Sequence, residues 1–221
     1  AQAALQQLSL AAGLYSGPVV GDKTVPEFGF YLPGAGVVPA PTAEAKPLAV
    51  VCFYRSYLTS ADTDPVDAMI GALNERGFKA IGLFATSLKA PAASDWIAEE
   101  MRRLGPAAIV NATAFSAKGS DGSASPLDVA GCPVFQVALS TARRKEWATS
   151  DRGLSPADLA MHVVLPEVDG RIFAGVVSFK QPSKRDADLQ FSRFAHCADL
   201  VRVSAVADRV AGWWRLSQTP S

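Results

Sequence analysis

The fold is decided by the stretch "LAVVCFYRSYLTSADTDPVDAMIGALNERGFKAIGLFA", residues 48–85. It opens with residues 48–54, a continuous run of β-branched and aromatic side chains that is typical of a strand buried on both faces. Residues 79–85 form a second run of this kind. The segment between the two runs has the features of a helix, so the stretch predicts a strand–helix–strand unit.

The predicted helix is marked at both ends. Asp64 is a natural N-cap, Pro65 suits the first helical position, and Asp67 faces the positive end of the helix dipole. Gly77 ends the helix. An apolar stripe at helical spacing is formed by Val66, Met69, Ile70 and Leu73.

The same alternation continues along the chain. Strands are predicted over residues 107–113 and 132–139, and helices over residues 94–105 and 198–216. Such alternation predicts an α/β fold: a doubly wound, mostly parallel sheet with helices on both faces. The core-facing side of the last helix is predicted to carry Val203, Val206, Ala207, Val210 and Trp213.

The N-terminal part of the chain breaks this rhythm. Residues 1–14 have helical composition, and residues 16–47 are rich in Gly, Pro and small residues, which indicates an irregular arm with little regular structure. The chain is therefore divided into a helix remnant and arm (1–47), an α/β domain (48–216) and a tail (217–221).

Composition excludes several classes of partner. Hydrophobic residues make up 49% of the 221 residues, charged residues 19%, and the formal net charge is zero. A neutral chain has no global basic field to attract nucleic acid or anionic lipid. No apolar run approaches the roughly 18–20 residues that a membrane-spanning helix needs. We therefore expect no nucleic-acid partner and no membrane span.

The cysteines and the first residue indicate in which cellular compartment the chain is found and whether it is a fragment. Cys52, Cys132 and Cys197 are odd in number and far apart, which favours buried free thiols in a reducing compartment over a disulfide framework. The chain starts at Ala1, so it is either a mature secreted chain or a fragment of a longer protein. The free thiols favour the fragment and a cytoplasmic location.

The spacing of motif residues excludes several kinds of site, and the polar residues after the strands indicate where a ligand would bind. The two histidines and three cysteines lack metal-ligand spacing, and the sequence has no P-loop, GxGxxG or GxSxG motif. Parallel sheets bind ligands at the carboxyl ends of their strands. Polar residues follow the predicted strands at 55–57, 86–87, 115–125 and 140–144. These residues predict a site at that edge but name no ligand.

The segment "MHVVLPEVDGRIF", residues 161–173, carries a concentration of charge. A helix is predicted to begin at the N-cap Ser155. Pro166 restricts the residue before it to extended conformations, so the helix is predicted to end at Leu165.

Glu167 would then follow the negative end of a helix dipole, where a carboxylate is unfavourable unless a cation lies close by. Arg171 or a metal ion would supply that cation, so we expect Glu167 at the ligand-facing edge of the sheet. In the alternative interpretation the segment is an ordinary polar turn with a solvated Glu167, and His162 is a core or helix-surface residue.

The segment "VVLPEVDGRIFAGVVSFK", residues 163–180, resembles the large subunit of cobaltochelatase and its magnesium chelatase relatives, in which an LPExDG motif recurs. The resemblance extends from Leu48 to about Leu216. Further stretches that carry it are residues 51–89, 111–115, 132–147 and 153–167. The stretches "TSLK" and "VVLPEVDGR" are closer to the cobalt branch than to the chlorophyll branch.

The resemblance implies one internal domain of a much longer subunit that binds a corrin-type tetrapyrrole and a metal ion. Cobalt(II) would be the substrate metal. ATP with Mg²⁺ would be hydrolysed on a separate AAA+ subunit that acts with a companion subunit, and no cofactor would be tightly bound to this domain. A non-catalytic module that binds the macrocycle or a partner, a magnesium chelatase domain, and an unrelated α/β binder of small ligands are the alternatives.

The resemblance also implies roles for individual residues. Glu167 matches the motif glutamate and would act as proton acceptor and weak oxygen ligand of the metal. Asp169 is a second catalytic candidate or a turn-former. Further metal candidates are Glu146 and His162; the family usually has Asn or Gln at the position of His162. The predicted partners of the macrocycle's carboxylates are Arg55, Arg143, Arg144, Arg171 and Lys180. Residues 183–197 fit the family poorly and are predicted to be a variable loop.

Overall fold

The computed structural model describes residues 2–14, 16–17, 24–42, 46–119, 122–149, 151, 153–182 and 194–219. Its strands are β1 (Phe28–Leu32), β2 (Gly36–Val38), β3 (Leu48–Tyr54), β4 (Lys79–Ala85), β5 (Ala108–Asn111), β6 (Val134–Arg143), β7 (Ile172–Pro182) and β8 (Phe194–Ala198). Its α-helices are α1 (Gln2–Ala11), α2 (Arg55–Thr59), α3 (Asp64–Glu75), α4 (Pro91–Leu104), α5 (Arg144–Ala148), α6 (Pro156–Leu159), α7 (Leu165–Val168) and α8 (Leu200–Ser217).

The strands form one sheet in the order β2-β1-β4-β3-β5-β6-β7-β8. The five central strands β4, β3, β5, β6 and β7 are parallel, whereas β1, β2 and β8 pair antiparallel at the two edges. The predicted α/β fold with a mostly parallel sheet is confirmed.

Helices cover both faces of this sheet, as predicted. On one face, α3 and α8 contribute Val66, Leu73, Val206 and Val210 to a core with the rings of β3 and β4. On the other face, α4 packs against the sheet together with Leu127 of the long β5–β6 connection. Of the five residues predicted to face the core from α8, four are buried. Trp213 is half exposed, so that part of the prediction was wrong.

The prediction of an irregular arm was wrong for residues 28–38. β1 and β2 form an antiparallel hairpin, and β1 extends the sheet by pairing with β4. Two of the glycines that suggested irregularity, Gly34 in the turn and Gly36 at the start of β2, have positive φ and so permit the tight hairpin. Phe30 and Tyr31 are buried beside the sheet. The predicted helical character of residues 1–14 agrees with α1.

The C-terminal part of the sheet was not predicted from periodicity. β7 is the longest strand, and β8 pairs with its second half. The prediction of a variable loop over residues 183–197 was wrong for residues 194–197, which lie in β8; residues 183–193 lie outside the described residues. Over the described ranges, no helix has both the length and the apolar character required to cross a bilayer.

Candidate functional site

The segment that connects β6 to β7 is one continuous helical crossover with a widened middle turn. Ser155 caps α6, because its Oγ accepts a hydrogen bond from the Asp158 amide at 3.0 Å. A π-helical turn follows over Ala160–Val164, and α7 continues to Val168.

The prediction that the helix ends at Leu165 was therefore wrong. Leu165 has helical angles, with φ −68° and ψ −43°. A proline inside an α-helix clashes with the carbonyl four residues earlier. The π turn directly before Pro166 shifts that carbonyl out of the α-helical position, so the chain stays helical up to Asp169.

Glu167 lies in the last turn of α7 and is exposed. α6 begins beside the carboxyl end of β6, where Asp158 contacts Ser140, and α7 ends just before β7. Glu167 therefore precedes the amino end of β7 in the chain, and two residues later Asp169 contacts Ser116 and Ala117, which lie in the loop at the carboxyl ends of the strands. The placement of Glu167 at the ligand-facing edge stays a prediction. The loop after β5 reaches this region, because the Lys118 ammonium donates to the Val168 carbonyl at 2.9 Å.

The other two charged residues of the motif point into the protein. Asp169 accepts hydrogen bonds from the Ser116 hydroxyl and the Ala117 amide, both at 2.5 Å, and its side chain is 1% exposed. Arg171, 3% exposed, pairs with Asp128 at 2.5 Å and lies 4.0 Å from Asp169. Both groups tie the β5–β6 connection to the turn after α7, which leaves Glu167 as the accessible charge of the motif.

An apolar surface surrounds Glu167. Val164, Leu165 and Val168 on the same short helical stretch are 50%, 38% and 64% exposed. Clustered exposed apolar side chains mark surfaces that bind ligands or partners. A carboxylate among them can meet a ligand that combines an apolar face with a cationic or proton-bearing centre.

The three residues predicted as metal ligands are not brought together. His162 is buried, its Nδ1 has no hydrogen-bond partner within the described ranges, and burial lowers its pKa. Glu146 is exposed on α5, where its Oε2 accepts from the Arg143 amide at 3.3 Å. Among the described residues, no three His, Cys, Asp or Glu side chains form a group that could hold a metal ion.

All of the predicted substrate-binding cations have partners within the domain. The Arg55 guanidinium donates to the carbonyls of Val25, at 2.6 Å, and Pro26, at 2.7 Å, and so attaches the residues before β1 to the start of α2. Lys180 lies 3.4 Å from a carboxylate oxygen of Asp62. Substrate binding by either residue stays a prediction.

Arg143 and Arg144 remain accessible at the carboxyl end of β6. Their side chains are 57% and 49% exposed, and each has an acidic neighbour: Arg143 lies 3.9 Å from Glu146, and Arg144 pairs with Asp199. The Arg143 guanidinium lies 4.8 Å from the ring centre of Phe194, and that of Arg144 lies 5.2 Å from the ring centre of Phe179. Stacking on aromatic rings orients both cations while their outer faces stay open to solvent.

Sequence reasoning missed two groups of polar residues. Asp158 is fully buried and accepts hydrogen bonds from the Ser140 hydroxyl and the Thr141 amide. His196 is buried, and its Nδ1 lies 3.1 Å from the Ser178 hydroxyl. Each contact joins residues far apart in the sequence, so no local signal reveals it.

The three cysteines are free thiols, as predicted, but only Cys52 is fully buried; Cys132 and Cys197 are half-buried. Burial raises the pKa of Cys52 to about 12 and that of Cys132 to about 11.

Two cavities open at opposite edges of the sheet. The larger, about 460 Å³, lies at the amino ends of the central strands beside Lys79, Arg103 and Trp213. Lys79 and Arg103 already donate there to the carbonyls of Thr42 and Pro41. The other cavity, about 330 Å³, lies at the carboxyl ends of β3, β4 and β5. The second position is the one at which parallel α/β sheets bind ligands.

Comparison with known proteins agrees with the motif. The model of the CobN/magnesium chelatase family matches residues 19–221, which is nearly the whole chain. The chain belongs to the CobN/magnesium chelatase family. Within it, the chain is 35% identical over 223 residues to the aerobic cobaltochelatase subunit CobN of a Sinorhizobium species, covering 93% of this chain and 18% of that protein. It is also 31% identical over 169 residues to the magnesium-chelatase H-subunit of Cereibacter sphaeroides, covering 68% of this chain and 14% of that protein.

A solved member of the family has the same fold. The catalytic subunit of cobaltochelatase from Mycobacterium tuberculosis superposes with a TM-score of 0.70 at 27% identity, covering 97% of this chain and 18% of that one. The chain thus spans less than a fifth of the length of these relatives.

Proposed function

We propose that this chain is a domain of the tetrapyrrole-binding large subunit of an ATP-dependent chelatase that inserts cobalt(II) into a corrin-type ring, hydrogenobyrinic acid a,c-diamide, in cobalamin biosynthesis. Support for cobalt comes from the higher identity and coverage in the comparison with CobN than with the magnesium-chelatase H-subunit. The large subunit would act in the cytoplasm with an AAA+ ATPase subunit and its companion. Magnesium insertion is the second candidate, because the magnesium-chelatase protein is also a relative.

The observation that carries this proposal is the exposed Glu167 carboxylate within an apolar surface. Metal insertion removes protons from ring nitrogens and transfers a partly desolvated cation. A carboxylate accepts such a proton and binds the ion through oxygen weakly enough to release it. Val164, Leu165 and Val168 offer the flat ring an apolar contact beside that carboxylate. Asp169 is assigned to the turn, because both its oxygens accept hydrogen bonds within the domain.

Arg143 and Arg144 are proposed to bind the ring's peripheral carboxylates, since their guanidinium groups are oriented and accessible. Arg171 is not included, because it is buried against Asp128. We expect no metal insertion by this 221-residue chain alone, because the ATPase subunits and most of the large subunit are absent from it.

The test is Glu167→Gln in the full-length large subunit assembled with its ATPase partners, with Glu99→Gln as the matched control for an exposed acid. We expect ring binding, followed by absorbance, to stay near wild type, while cobalt insertion falls about 10²- to 10⁴-fold, the range for loss of a general base. Insertion at the wild-type rate would remove the catalytic assignment and favour a binding module. Insertion of Mg²⁺ in place of cobalt would favour the second candidate.

A further inference from the structure

The cavity at the carboxyl edge occupies the point where the winding of the sheet reverses. β3 lies between β4 and β5. The chain that leaves β3 enters α3 on one face of the sheet, whereas the chain that leaves β5 packs Ala117 and Leu127 on the other face. Connections that part in this way leave a crevice between two neighbouring strand ends, and doubly wound sheets bind their ligands there.

The walls of this crevice are fixed by hydrogen bonds to three different elements. The Tyr54 hydroxyl at the end of β3 donates to the Ala114 carbonyl at 2.7 Å. The Phe115 amide donates to the Met161 carbonyl of the crossover helix at 2.8 Å. The Ser116 hydroxyl donates to Asp169. The crevice is therefore formed before any ligand arrives, which lowers the entropic cost of binding.

Phe115 is held in an unfavourable conformation at the mouth of the crevice. Its φ is +68°, in a region that non-glycine residues rarely adopt, and its side chain is 50% exposed. Such strain costs about 1–3 kcal/mol and persists only where the surroundings enforce it. The result is an aromatic ring presented to solvent beside a cavity of about 330 Å³.

The crevice combines one cation with apolar walls. Lys89 is the charged residue among the described residues that line it, and none of these carries a carboxylate. The apolar lining comes from Leu88, Phe115 and Ala117. α4 begins two residues after Lys89, without an acidic residue in its first turn, so its dipole adds to the positive potential. The volume is at the lower end of the range for small-molecule sites.

We propose that this crevice is a binding site for a carboxylate carried on a compact planar apolar group, with Lys89 contacting the carboxylate and Phe115 packing on the apolar part. Such a carboxylate can belong to a free aromatic acid or to a side arm of a tetrapyrrole. The site does not use the Glu167 carboxylate, so its failure would leave the proposed chelatase function intact.

The test is an NMR titration of the isotope-labelled 221-residue chain with benzoate, benzyl alcohol and inorganic phosphate as probes. We expect benzoate to shift the amides of residues 87–89 and 114–117 at lower concentration than either other probe does. If benzyl alcohol binds as tightly as benzoate, the proposed role of Lys89 is wrong. If phosphate binds as tightly as benzoate, the proposed apolar contact with Phe115 is wrong. If the shifts are confined to other residues, the proposed site is wrong.

Two variants and a control sharpen the test. Lys89→Gln should weaken benzoate binding about tenfold, as expected for the loss of a charge-assisted hydrogen bond, whereas Lys145→Gln on the exposed α5 should leave it unchanged. Phe115→Gly suits the positive φ and keeps the fold, but should weaken benzoate binding because the aromatic contact is lost. Unchanged benzoate affinity in Lys89→Gln or Phe115→Gly would contradict the proposal. In the full-length large subunit, hydrogenobyrinic acid a,c-diamide is then added to the benzoate complex. If it displaces benzoate, the bound carboxylate is a side arm of the tetrapyrrole. If benzoate stays bound, the natural ligand is a free aromatic acid.

Discussion

Asp169 and Ser116 are separated by 53 positions in the sequence and joined by a hydrogen bond of 2.5 Å between Oδ1 and Oγ. The second carboxylate oxygen accepts from the Ala117 amide at the same distance, and Arg171 adds its ion pair with Asp128 a few ångströms away. The turn that follows Glu167 and the loop that follows β5 therefore behave as one structural unit. The unit links the proposed catalytic surface to the wall of the carboxyl-edge crevice.

Asp169→Ala is expected to destabilise the chain by about 2–4 kcal/mol, because it leaves the Ala117 amide without an acceptor and removes one of the carboxylates beside the buried Arg171. Urea unfolding followed by circular dichroism measures the change. Glu167→Ala is the control: it alters an exposed acid two residues away and should change stability by at most about 0.5 kcal/mol. Equal effects of the two substitutions would contradict the inward role of Asp169.

The sequence was sufficient for the central sheet because strands buried on both faces and amphipathic helices leave local patterns. β3, β4 and α3 follow from hydrophobic runs and an apolar stripe. β1 was missed because the turn glycines that permit its hairpin also resemble irregular chain. The ends of α6 and α7 were misjudged because a π turn, which has no strong sequence signature, removes the usual clash at Pro166.

The surroundings of the candidate site residues were predicted less well than the sheet, because they depend on tertiary contacts. Glu167 is exposed, and exposure can be guessed from a local pattern. Asp169 and Arg171 are buried by residues 116 and 128, which only the tertiary fold brings near. The same holds for Arg55, whose hydrogen bonds go to carbonyls about 30 positions earlier. Charged residues close together in a sequence motif predict a cluster of charge. Which residues they pair with depends on the tertiary packing.

Gly82→Ala is expected to destabilise the chain by about 1–3 kcal/mol, the range for overpacked cores. A Cβ at this position of β4 would lie 3.0 Å from the Phe53 ring and 3.1 Å from the Tyr31 ring, tighter than nine in ten Cβ contacts in proteins, so the buried rings would have to shift. Thermal unfolding measures the loss. Gly71→Ala on α3 is the matched control, since its added Cβ meets nothing within 4 Å. It should be neutral or stabilising, because alanine is favoured over glycine in a helix.

We expect the protein to lose stability in mild acid because of the buried His196. Burial, with a further contribution from Lys180, lowers its pKa from 6.5 to about 4, despite the opposing effect of Asp62. Between these two values the unfolded chain binds a proton that the folded chain does not, so stability is complete above pH 6.5 and falls as the pH drops towards 4. The linked loss is of the order of 3 kcal/mol.

The measurement is the free energy of unfolding at several pH values for wild type and His196→Gln. Their difference isolates this residue from His162, whose pKa is also lowered. We expect the fall between pH 6.5 and 4 to be smaller in the variant. Parallel curves for the two proteins would show that His196 does not titrate in this window.

His162→Leu is expected to stabilise the chain. The imidazole is buried, and its Nδ1 has no hydrogen-bond partner in the described part of the chain, so folding removes this polar atom from water without compensation. Such a group costs about 1–3 kcal/mol, and an apolar side chain of similar size avoids most of that cost. Because burial lowers the pKa of His162, the advantage of the variant should increase as the pH falls below 6.5.

Urea unfolding at about pH 8 and about pH 5.5, on either side of the ordinary histidine pKa, measures both effects of His162→Leu. Asp158→Leu is the contrast, since that substitution removes a buried group whose hydrogen bonds are satisfied. If His162→Leu destabilises the chain as much as Asp158→Leu does, the His162 side chain has a hydrogen-bond partner in solution. That result would favour the prediction that His162 acts at the metal over the interpretation of His162 as a core residue.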